Sequence, residues 1–341
     1  MATEIGIDLG SEKTVIFSSS RIVLEQPSLV TVDAETFEPV YFGEKAKQTL
    51  GRTPDTLLCV RPIENGLIAD YDVTQAMLQH YMDKAFGNKI VRPKVMATLP
   101  TGLTELQHHS LANVMAQSGG RNVSVIESPL AVAIGLEIDF QKPQGNLIVD
   151  IGAGTSDIAV LSLGGIVESD SFKCASLDFD RLIQEYVRKT YNIDIGDLTA
   201  ETVKMQIGSV YPRPVEVMTI AKGSNRFNGL PVSFEISSSE IYECLHACAL
   251  TICAAIRAVL ERTPPELVAD IQKNGLYLVG GGSRIFGMKE LLESNLQTAV
   301  HTVEDPQYSV VKGAARALSH PELLKSINYQ LRSLRELSVE P

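Results

Sequence analysis

The chain has 341 residues, 44% of them hydrophobic and 21% charged, which is enough apolar material for a sizeable core and excludes a disordered chain. Its 30 basic and 41 acidic residues give a net charge of −11, so no nucleic-acid partner is expected. No uncharged apolar stretch is long enough to span a bilayer, the N-terminus lacks the pattern of a signal peptide, and the five cysteines have no paired spacing. These features favour a cytoplasmic α/β protein without disulfides.

The first half of the chain alternates between predicted strands and one helix. Strands are predicted at residues 4–9, 14–17, 22–24, 95–100 and 123–126, and the helix at residues 104–118. The first strand ends in Asp8-Leu9-Gly10, which places an acidic residue beside a tight turn. We expect His108 and His109, on one flank of the helix, to lie at the surface.

The opening pattern returns in the middle of the chain. Residues 146–151 are predicted as a buried strand that ends in Asp150-Ile151-Gly152, a returning strand follows at residues 157–161, and Gly164-Gly165 makes a hairpin turn. Two copies of this unit predict two domains of the same architecture, related by duplication. The alternative is the chance recurrence of a common turn.

The rest of the second half combines helices with a glycine-rich junction. An apolar stripe predicts a helix over residues 179–187, and a capping box at residues 237–240 opens a long helix through residue 260. An apolar strand at residues 276–279 runs into three consecutive glycines, 280–282. This alternation predicts mixed sheets covered by helices.

The two acidic turns suit a phosphate and a metal ion. Backbone N–H groups of a glycine turn can reach phosphate oxygens, and a neighbouring aspartate can hold a hydrated Mg²⁺. The candidate donors and carboxylates are Asp8, Gly10, Ser11 and Thr14 in the first turn, and Asp150, Gly152, Ala153, Gly154 and Thr155 in the second. Each turn alone is more often only a tight turn. Together with a junction that lets the backbone approach a nucleoside, they indicate a nucleotide site.

These three motifs resemble the phosphate-1, phosphate-2 and adenosine motifs of the actin, Hsp70 and hexokinase superfamily. The motifs are residues 8–11, 150–157 and 279–284. Within that superfamily the chain is similar to the MreB family of bacterial actins. Further MreB-like stretches lie outside the motifs, at residues 51–54, 61–70, 201–204, 207–209 and 264–267, so that the resemblance extends from Ile5 to about Leu318.

The resemblance implies a duplicated ribonuclease-H-like, actin-like ATPase fold with a nucleotide cleft between two domains. The implied ranges are 1–141 for the first domain with a smaller insertion at about 33–70, and 142–320 for the second with an insertion at about 180–240, where 309–320 could return to the first domain. The residues beyond, 321–341, have apolar positions at helical spacing and form an amphipathic tail.

The resemblance also implies ATP or GTP bound with Mg²⁺ in the cleft. By motif position the nucleotide would contact Gly10, Ser11, Glu12, Lys13, Gly152, Ala153, Gly154, Thr155, Gly280, Gly281, Gly282 and Ser283. Glu201 and Lys204 fall where the family contacts ribose and adenine. They are one helical turn apart, so a solvated ion pair between them is the alternative. Asp8 and Asp150 would hold the metal, through water.

One departure from the family concerns catalysis. Asp150, Thr155 and Ser128 are the candidate catalytic residues, but Ser128 stands where the family has the glutamate that positions the attacking water. A serine hydroxyl can orient water and cannot act as a base near neutral pH. We therefore expect nucleotide binding to survive and hydrolysis to be weak.

The function implied by the resemblance is ATP-dependent filament formation. The filament would assemble at the inner face of the membrane and organise cell-wall synthesis and cell shape with membrane proteins of the wall-elongation machinery. Phe86, Ile90 and Val91 correspond in position to the family's membrane loop, with an ordinary loop as the alternative. Two other functions stay open: an actin-fold small-molecule kinase or reactivating ATPase, and a filament that positions organelles or plasmids.

Overall fold

The computed structural model describes residues 3–18, 20–87, 92–325 and 332–333. The helices and strands of the first half are β1 (Glu4–Leu9), β2 (Lys13–Ser18), β3 (Arg21–Pro27), β4 (Val30–Asp33), β5 (Pro39–Phe42), α1 (Glu44–Thr49), β6 (Leu57–Val60), β7 (Ile63–Glu64), β8 (Leu67–Ile68), α2 (Tyr71–Phe86), β9 (Lys94–Leu99), α3 (Glu105–Gln117), β10 (Arg121–Glu127) and α4 (Ser128–Gly135).

The second half follows the same alternation. Its elements are β11 (Asn146–Ile151), β12 (Ser156–Ser162), β13 (Gly165–Phe172), α5 (Ser176–Tyr191), β14 (Ile193–Asp194), α6 (Asp197–Ile207), β15 (Met218–Asn225), β16 (Pro231–Ser237), α7 (Ser238–Arg262), α8 (Pro265–Asn274), β17 (Leu276–Val279), α9 (Met288–Leu296), β18 (Val300–Thr302), α10 (Ser309–Ser319), α11 (Pro321–Lys325) and β19 (Arg332–Ser333), with short 3₁₀ turns at Gly281–Arg284 and Pro306–Tyr308.

Two large sheets share one topology. The first has the strand order β19-β10-β9-β1-β2-β3, and the second β13-β12-β11-β17-β18. In each sheet the central strand, β1 or β11, pairs antiparallel with the next strand in sequence and parallel with a strand that arrives after a long connection. The shared order confirms the duplicated architecture that the repeated Asp-x-Gly unit predicts.

Helices α3 and α7 begin where the sequence predicts. Thr104 and Gln107 form a capping box at the start of α3, and Ser237 and Glu240 form another at the start of α7, because each pair satisfies two of the unpaired backbone N–H groups of a helix start. The expectation for His108 is wrong: it is buried, since it lies on the inner side of α3 next to Leu111 and Ala112.

Each half carries a smaller sheet. β5-β4-β6 with α1 lies in the first half, and β14-β15-β16 with α6 in the second. The exact domain boundaries stay predictions. Much of the predicted tail, residues 326–331 and 334–341, is outside the described residues.

One helix in the described part of the chain, α7, is long and apolar enough to cross a membrane by length and composition. Its apolar residues, among them Ile241, Leu245, Ile252 and Ile256, are buried in the core of the second half. This location accounts for its apolar character, because a helix inside a protein core needs the same composition.

The two halves are joined by α4 and α10. These helices form an apolar cluster with residues from both large sheets, such as Met96 of β9 and Ile148 of β11. α10 also lies against β1, where a Cβ added to Gly6 would come within 2.7 Å of the Val311 carbonyl oxygen. At the crossing point a Cβ added to Gly313 would overlap the carbonyl oxygen of Ala131, so the close approach of the helices requires glycine there.

Replacement of Gly313 by alanine should therefore separate α4 from α10. We expect the free energy of unfolding to fall by roughly 2–3 kcal/mol, as for overpacking of a tight core contact, measured by urea denaturation. Gly165→Ala is the matched control, because a Cβ there meets nothing within 4 Å. Equal stability of the two variants would contradict the account of the crossing.

Candidate functional site

The two Asp-x-Gly turns have the same geometry. The N–H of Gly10 donates to the carbonyl oxygen of Lys13 at 3.0 Å, and the N–H of Gly152 donates to that of Thr155 at 2.9 Å. Each turn thus closes a hairpin, β1–β2 or β11–β12. Hereafter residues 9–13 are the first turn and residues 151–155 the second turn.

The two turns lie against each other. A Cβ added to Gly154 of the second turn would come within 2.5 Å of Ser11 Oγ of the first turn and 3.0 Å of the Asn65 Cα. Ser11 Oγ in turn accepts a hydrogen bond from the N–H of Gly66 at 3.1 Å. The structure therefore brings together the two phosphate motifs, which are about 140 residues apart in the sequence.

Three carboxylates lie at these turns, of which Asp150 and Asp157 are buried and Asp8 is half-buried. Asp8 is near the end of β1, and Asp150 on β11 is paired directly with Asp157 on β12. Burial raises the pKa of Asp8 to about 6, against a hydrogen bond from Thr98, and raises that of Asp157 to about 6. The pKa of Asp150 is raised well above its usual range, first by burial and then by the charges of Asp157 and Asp8. A buried cluster of like charges is unfavourable unless a cation compensates it.

The donor set fits a hydrated Mg²⁺. Asp157 Oδ1 is buried and has no hydrogen-bond partner among the described residues, so a water or ion would satisfy it. Within the same residues, no three His, Cys, Asp or Glu side chains are placed to hold one ion directly. Carboxylates that face an ion through its water shell are typical of Mg²⁺ bound with a phosphate.

Asp157 is the residue that sequence reasoning missed. It belongs to the second phosphate motif, yet it is not among the predicted metal ligands. The sequence feature that could have identified it is an acidic residue at the start of the strand sequence Asp157-Ile158-Ala159-Val160-Leu161. The antiparallel pairing of β11 with β12 places Asp157 opposite Asp150. A charged residue in a fully buried strand is rarely structural alone.

The glycine-rich junction completes the site. Gly280 has a φ of +86°, and a Cβ on it would overlap both Asp150 Oδ1 and the Ile151 carbonyl oxygen. A Cβ on Gly282 would come within 2.7 Å of the Ile151 side chain. Ser283 Oγ donates to the Gly280 carbonyl oxygen at 2.7 Å. The third motif thus lies directly on the second turn, as a shared ligand for all three motifs requires.

Two residues of the first turn make ion pairs. Glu12 is bound by Lys47 at 3.3 Å and by Arg61 at 2.7 Å. Lys13 pairs with Glu25 at 2.8 Å, and its side chain is about half exposed. A role of either side chain in nucleotide binding stays a prediction.

Glu201 and Lys204 share one face of α6, but each pairs with a different residue. Glu201 accepts from Lys47 at 2.8 Å, whereas Lys204 donates to Asp180 at 2.6 Å and to Ser176 Oγ at 2.8 Å. The alternative of a solvated ion pair between them is therefore not the observed arrangement. Their contact with ribose and adenine stays a prediction.

Ser128 begins α4 and is buried. Its hydroxyl donates to the carbonyl oxygen of Leu99 at 3.0 Å, so its proton is engaged and its oxygen can only accept. This geometry allows Ser128 to orient a water molecule and supplies no base.

The predicted membrane loop is described only at its first residue. Phe86 ends α2 and packs partly buried against the core of the first half. Ile90 and Val91 lie outside the described residues.

A duplicated sheet with these three motifs at the junction of its halves defines an actin-like nucleotide-binding fold. The family model for MreB/Mbl protein matches residues 2–326. The chain is therefore a member of the MreB/Mbl family of bacterial actin-like cytoskeletal proteins, as the motif resemblance predicts.

Individual relatives agree with this membership. The chain is 37% identical over 325 residues to the cell shape-determining protein Mbl of Bacillus subtilis, covering 95% of this chain and 98% of that one. It is 37% identical over 328 residues to the cell shape-determining protein MreB of Escherichia coli K12, covering 93% of each.

Solved structures confirm the fold. The crystal structure of MreB5 of Spiroplasma citri bound to ADP has a TM-score of 0.89 and 33% identity, with 94% of this chain and 98% of that chain covered. The same protein bound to AMPPNP has a TM-score of 0.89. A MamK double helical filament has a TM-score of 0.78 at 22% identity, which shows the shared fold alone.

The buried carboxylates predict a pH-dependent stability of the nucleotide-free protein. The pKa of Asp157 is about 6 in the folded state, against an ordinary value of 3.8, so the folded state binds the proton more tightly than the unfolded state. This preference stabilises the folded state fully below about pH 4, and the stabilisation is lost as the pH rises through about 6. Asp157→Asn should thus raise the free energy of unfolding at pH 7.5 by about 3 kcal/mol, measured by urea denaturation with EDTA present.

The gain from Asp157→Asn should shrink as the pH is lowered toward about 5, because the wild-type carboxyl then becomes neutral as well. Asp55→Asn, at an exposed position, is the control and should show no such trend. A variant that is less stable than the wild type at pH 7.5 would contradict the assignment of a desolvated charge.

Proposed function

We propose that this chain is an ATP-dependent, filament-forming protein that acts in cell shape. The observation that carries the proposal is the meeting of both turns and the glycine-rich junction around Asp8, Asp150 and Asp157. An actin-like site of this kind binds a triphosphate between two halves, and the bound ligand favours the closed arrangement of those halves. Closure changes the surface offered to a neighbouring subunit.

The nucleotide would be held mostly by backbone groups. The N–H groups of Gly10 and Gly152 already close their own hairpins, so those of Ser11 and residues 153–155 are the candidate donors to phosphate oxygens, and residues 280–283 border the adenosine. The protein solved as MreB5 of Spiroplasma citri, at 33% identity, was bound to ADP and to AMPPNP, which supports this assignment. Mg²⁺, held through water by Asp8, Asp150 and Asp157, would neutralise phosphate charge.

The cellular part of the proposal rests on the relatives. Proteins 37% identical to this chain are named cell shape-determining, which favours a cytoplasmic filament that acts on cell shape at the inner face of the membrane with the wall-elongation machinery. A small-molecule kinase of the same fold would need an acid for its substrate near the phosphates, and the sequence offers no candidate outside the carboxylates already assigned.

Electron microscopy with ATP and Mg²⁺ tests assembly. We expect filaments from the wild type, and none from Asp150→Ala, because that variant loses the carboxylate nearest the second turn and the junction. Calorimetry on the same proteins should show uptake of Mg·ATP only by the wild type. Persistent monomers with turnover stimulated by a sugar would favour a kinase instead.

Hydrolysis should be slow in this chain and should respond to position 128. Ser128→Glu supplies a carboxylate that can position the attacking water, and it should raise the phosphate-release rate by about tenfold or more, in line with general-base assistance. The assay uses Mg·ATP with the purified protein, and Ser128→Ala, which should not exceed the wild-type rate, is the control. An unchanged rate in the glutamate variant would exclude position 128 as the place from which a carboxylate positions the attacking water.

Membrane attachment is proposed through Phe86, Ile90 and Val91. Replacement of Phe86 and Ile90 by serine should reduce co-sedimentation with anionic lipid vesicles, because apolar side chains near Lys89 and Arg92 favour such a surface. Serine replacement of the exposed Leu163 serves as the control. Equal pelleting of all three proteins would remove the membrane part of the proposal.

A further inference from the structure

A group of four charged residues links α1, beside the smaller sheet of the first half, to α6, beside the smaller sheet of the second half. Lys47 on α1 donates to Glu12 of the first turn at 3.3 Å and to Glu201 on α6 at 2.8 Å. Arg61 Nη1 donates to the other carboxylate oxygen of Glu12 at 2.7 Å. We call Lys47, Glu12, Arg61 and Glu201 the Lys47 clasp.

The clasp is divided unequally between the halves. Glu12, Lys47 and Arg61 all belong to the first half, and Glu201 belongs to the second. Separation of the halves therefore breaks the contact between Lys47 and Glu201, while Lys47 keeps Glu12 as its partner. Only Glu201 loses its ion pair when the contact opens, and its side chain is already 26% exposed, so opening avoids the large penalty of breaking a fully buried pair.

The second-half side of the clasp is well anchored. Lys204, one turn after Glu201 on α6, binds Asp180 of α5 at 2.6 Å. Both side chains of that pair are nearly buried, with 12% and 11% of their surface exposed. Since this bond ties α6 to α5, Glu201 moves with the second half as a unit.

The clasp lies where the cleft meets solvent. A cavity of about 140 Å³ is lined by all four clasp residues and by Asp180. The side chains of Lys47, Glu12 and Glu201 are 20%, 17% and 26% exposed, which leaves them reachable by salt yet shielded more than a surface pair. Partial burial lowers the pKa of Lys47, but the hydrogen bond to Glu201 and the charges of Glu12 and Glu201 outweigh it and raise that pKa, so Lys47 is charged at neutral pH.

The position of the clasp relates it to the nucleotide site. Glu12 follows Ser11 in the first turn, and Glu201 is the predicted ribose contact on the opposite side. We propose that the Lys47 clasp holds the outer end of the nucleotide cleft closed and slows the release of bound nucleotide. This inference rests on the proposed nucleotide-binding function and adds a control on the exchange step.

Stopped-flow release of a fluorescent ATP analogue, mant-ATP with Mg²⁺, tests the clasp in the full-length protein. Bound analogue is chased with excess ATP at a protein concentration below that needed for assembly. Lys47→Met removes the charge and retains the stem, and it should speed release by about fivefold, the effect of losing one partly exposed ion pair. Lys47→Arg should stay near the wild type. Lys45→Met, on the exposed side of α1, is the matched control.

Two further readouts separate a clasp from a general structural effect. Release from the wild type should speed up with added NaCl, whereas release from Lys47→Met should change little, because screening acts on the ion pair. On a Glu201→Gln background Lys47→Met should speed release by less than it does in the wild type, since both changes remove the contact between Lys47 and Glu201.

The outcomes distinguish the two proposals. Uptake of mant-ATP with the same release rate in the wild type and Lys47→Met overturns the clasp and leaves the proposed function intact. A wild type that takes up no mant-ATP overturns the proposed function and the clasp with it. Equal acceleration by Lys45→Met would also overturn the clasp, because the effect would then be one of helix charge.

Discussion

The burial of like charge at the ends of two equivalent strands is the constraint on which the site depends. Asp8 and Asp150 lie near the ends of strands whose apolar residues are buried, and Asp157 follows the start of the strand opposite Asp150. Asp150 and Asp157 are buried and Asp8 is half-buried, so all three carboxylates are largely removed from water. The protein therefore holds a charge arrangement that is unfavourable by itself and that a hydrated cation would compensate. This is the usual exchange of stability for function at a binding site.

The two ends of the cleft are joined by different kinds of interaction. At the inner end, α4 and α10 cross through Gly313 against Ala131, in an apolar cluster shared by both sheets. Apolar contacts of this kind are insensitive to salt screening and resist separation. At the outer end, the contact between Lys47 and Glu201 is ionic and partly exposed. A fixed apolar inner end and a separable ionic outer end are what a hinged cleft needs.

Several polar side chains of the candidate site have partners within the protein. Glu12 places a carboxylate in the first turn, where Arg61 and Lys47 hold it. Ser176 binds Lys204, and Ser128 donates to a backbone carbonyl. Each of these polar side chains is hydrogen-bonded within the protein, and the hydroxyl at position 128 offers no base for hydrolysis.

Local pattern was sufficient to predict the duplicated architecture and the three glycine motifs. Strand periodicity, the capping box at Ser237 and the repeated Asp-x-Gly turns are short-range signals, because they depend on residues within one turn or one strand. The same reasoning failed for His108, because the side of a helix that becomes buried is decided only when the helix packs against the rest of the protein. It also missed Asp157, whose importance lies in its register with Asp150. The main elements could thus be predicted from residue type and spacing along the chain, whereas the family was identified from the resemblance of the motifs, and the phosphate contacts stay predictions. Three contacts are known only from the tertiary structure. Gly154 lies against Ser11, and Gly280 lies against Asp150. Lys47 binds Glu201, which is 154 positions away in the sequence. These contacts join distant segments, and their partners are set by the way the two sheets and the crossing helices fit together rather than by any local preference.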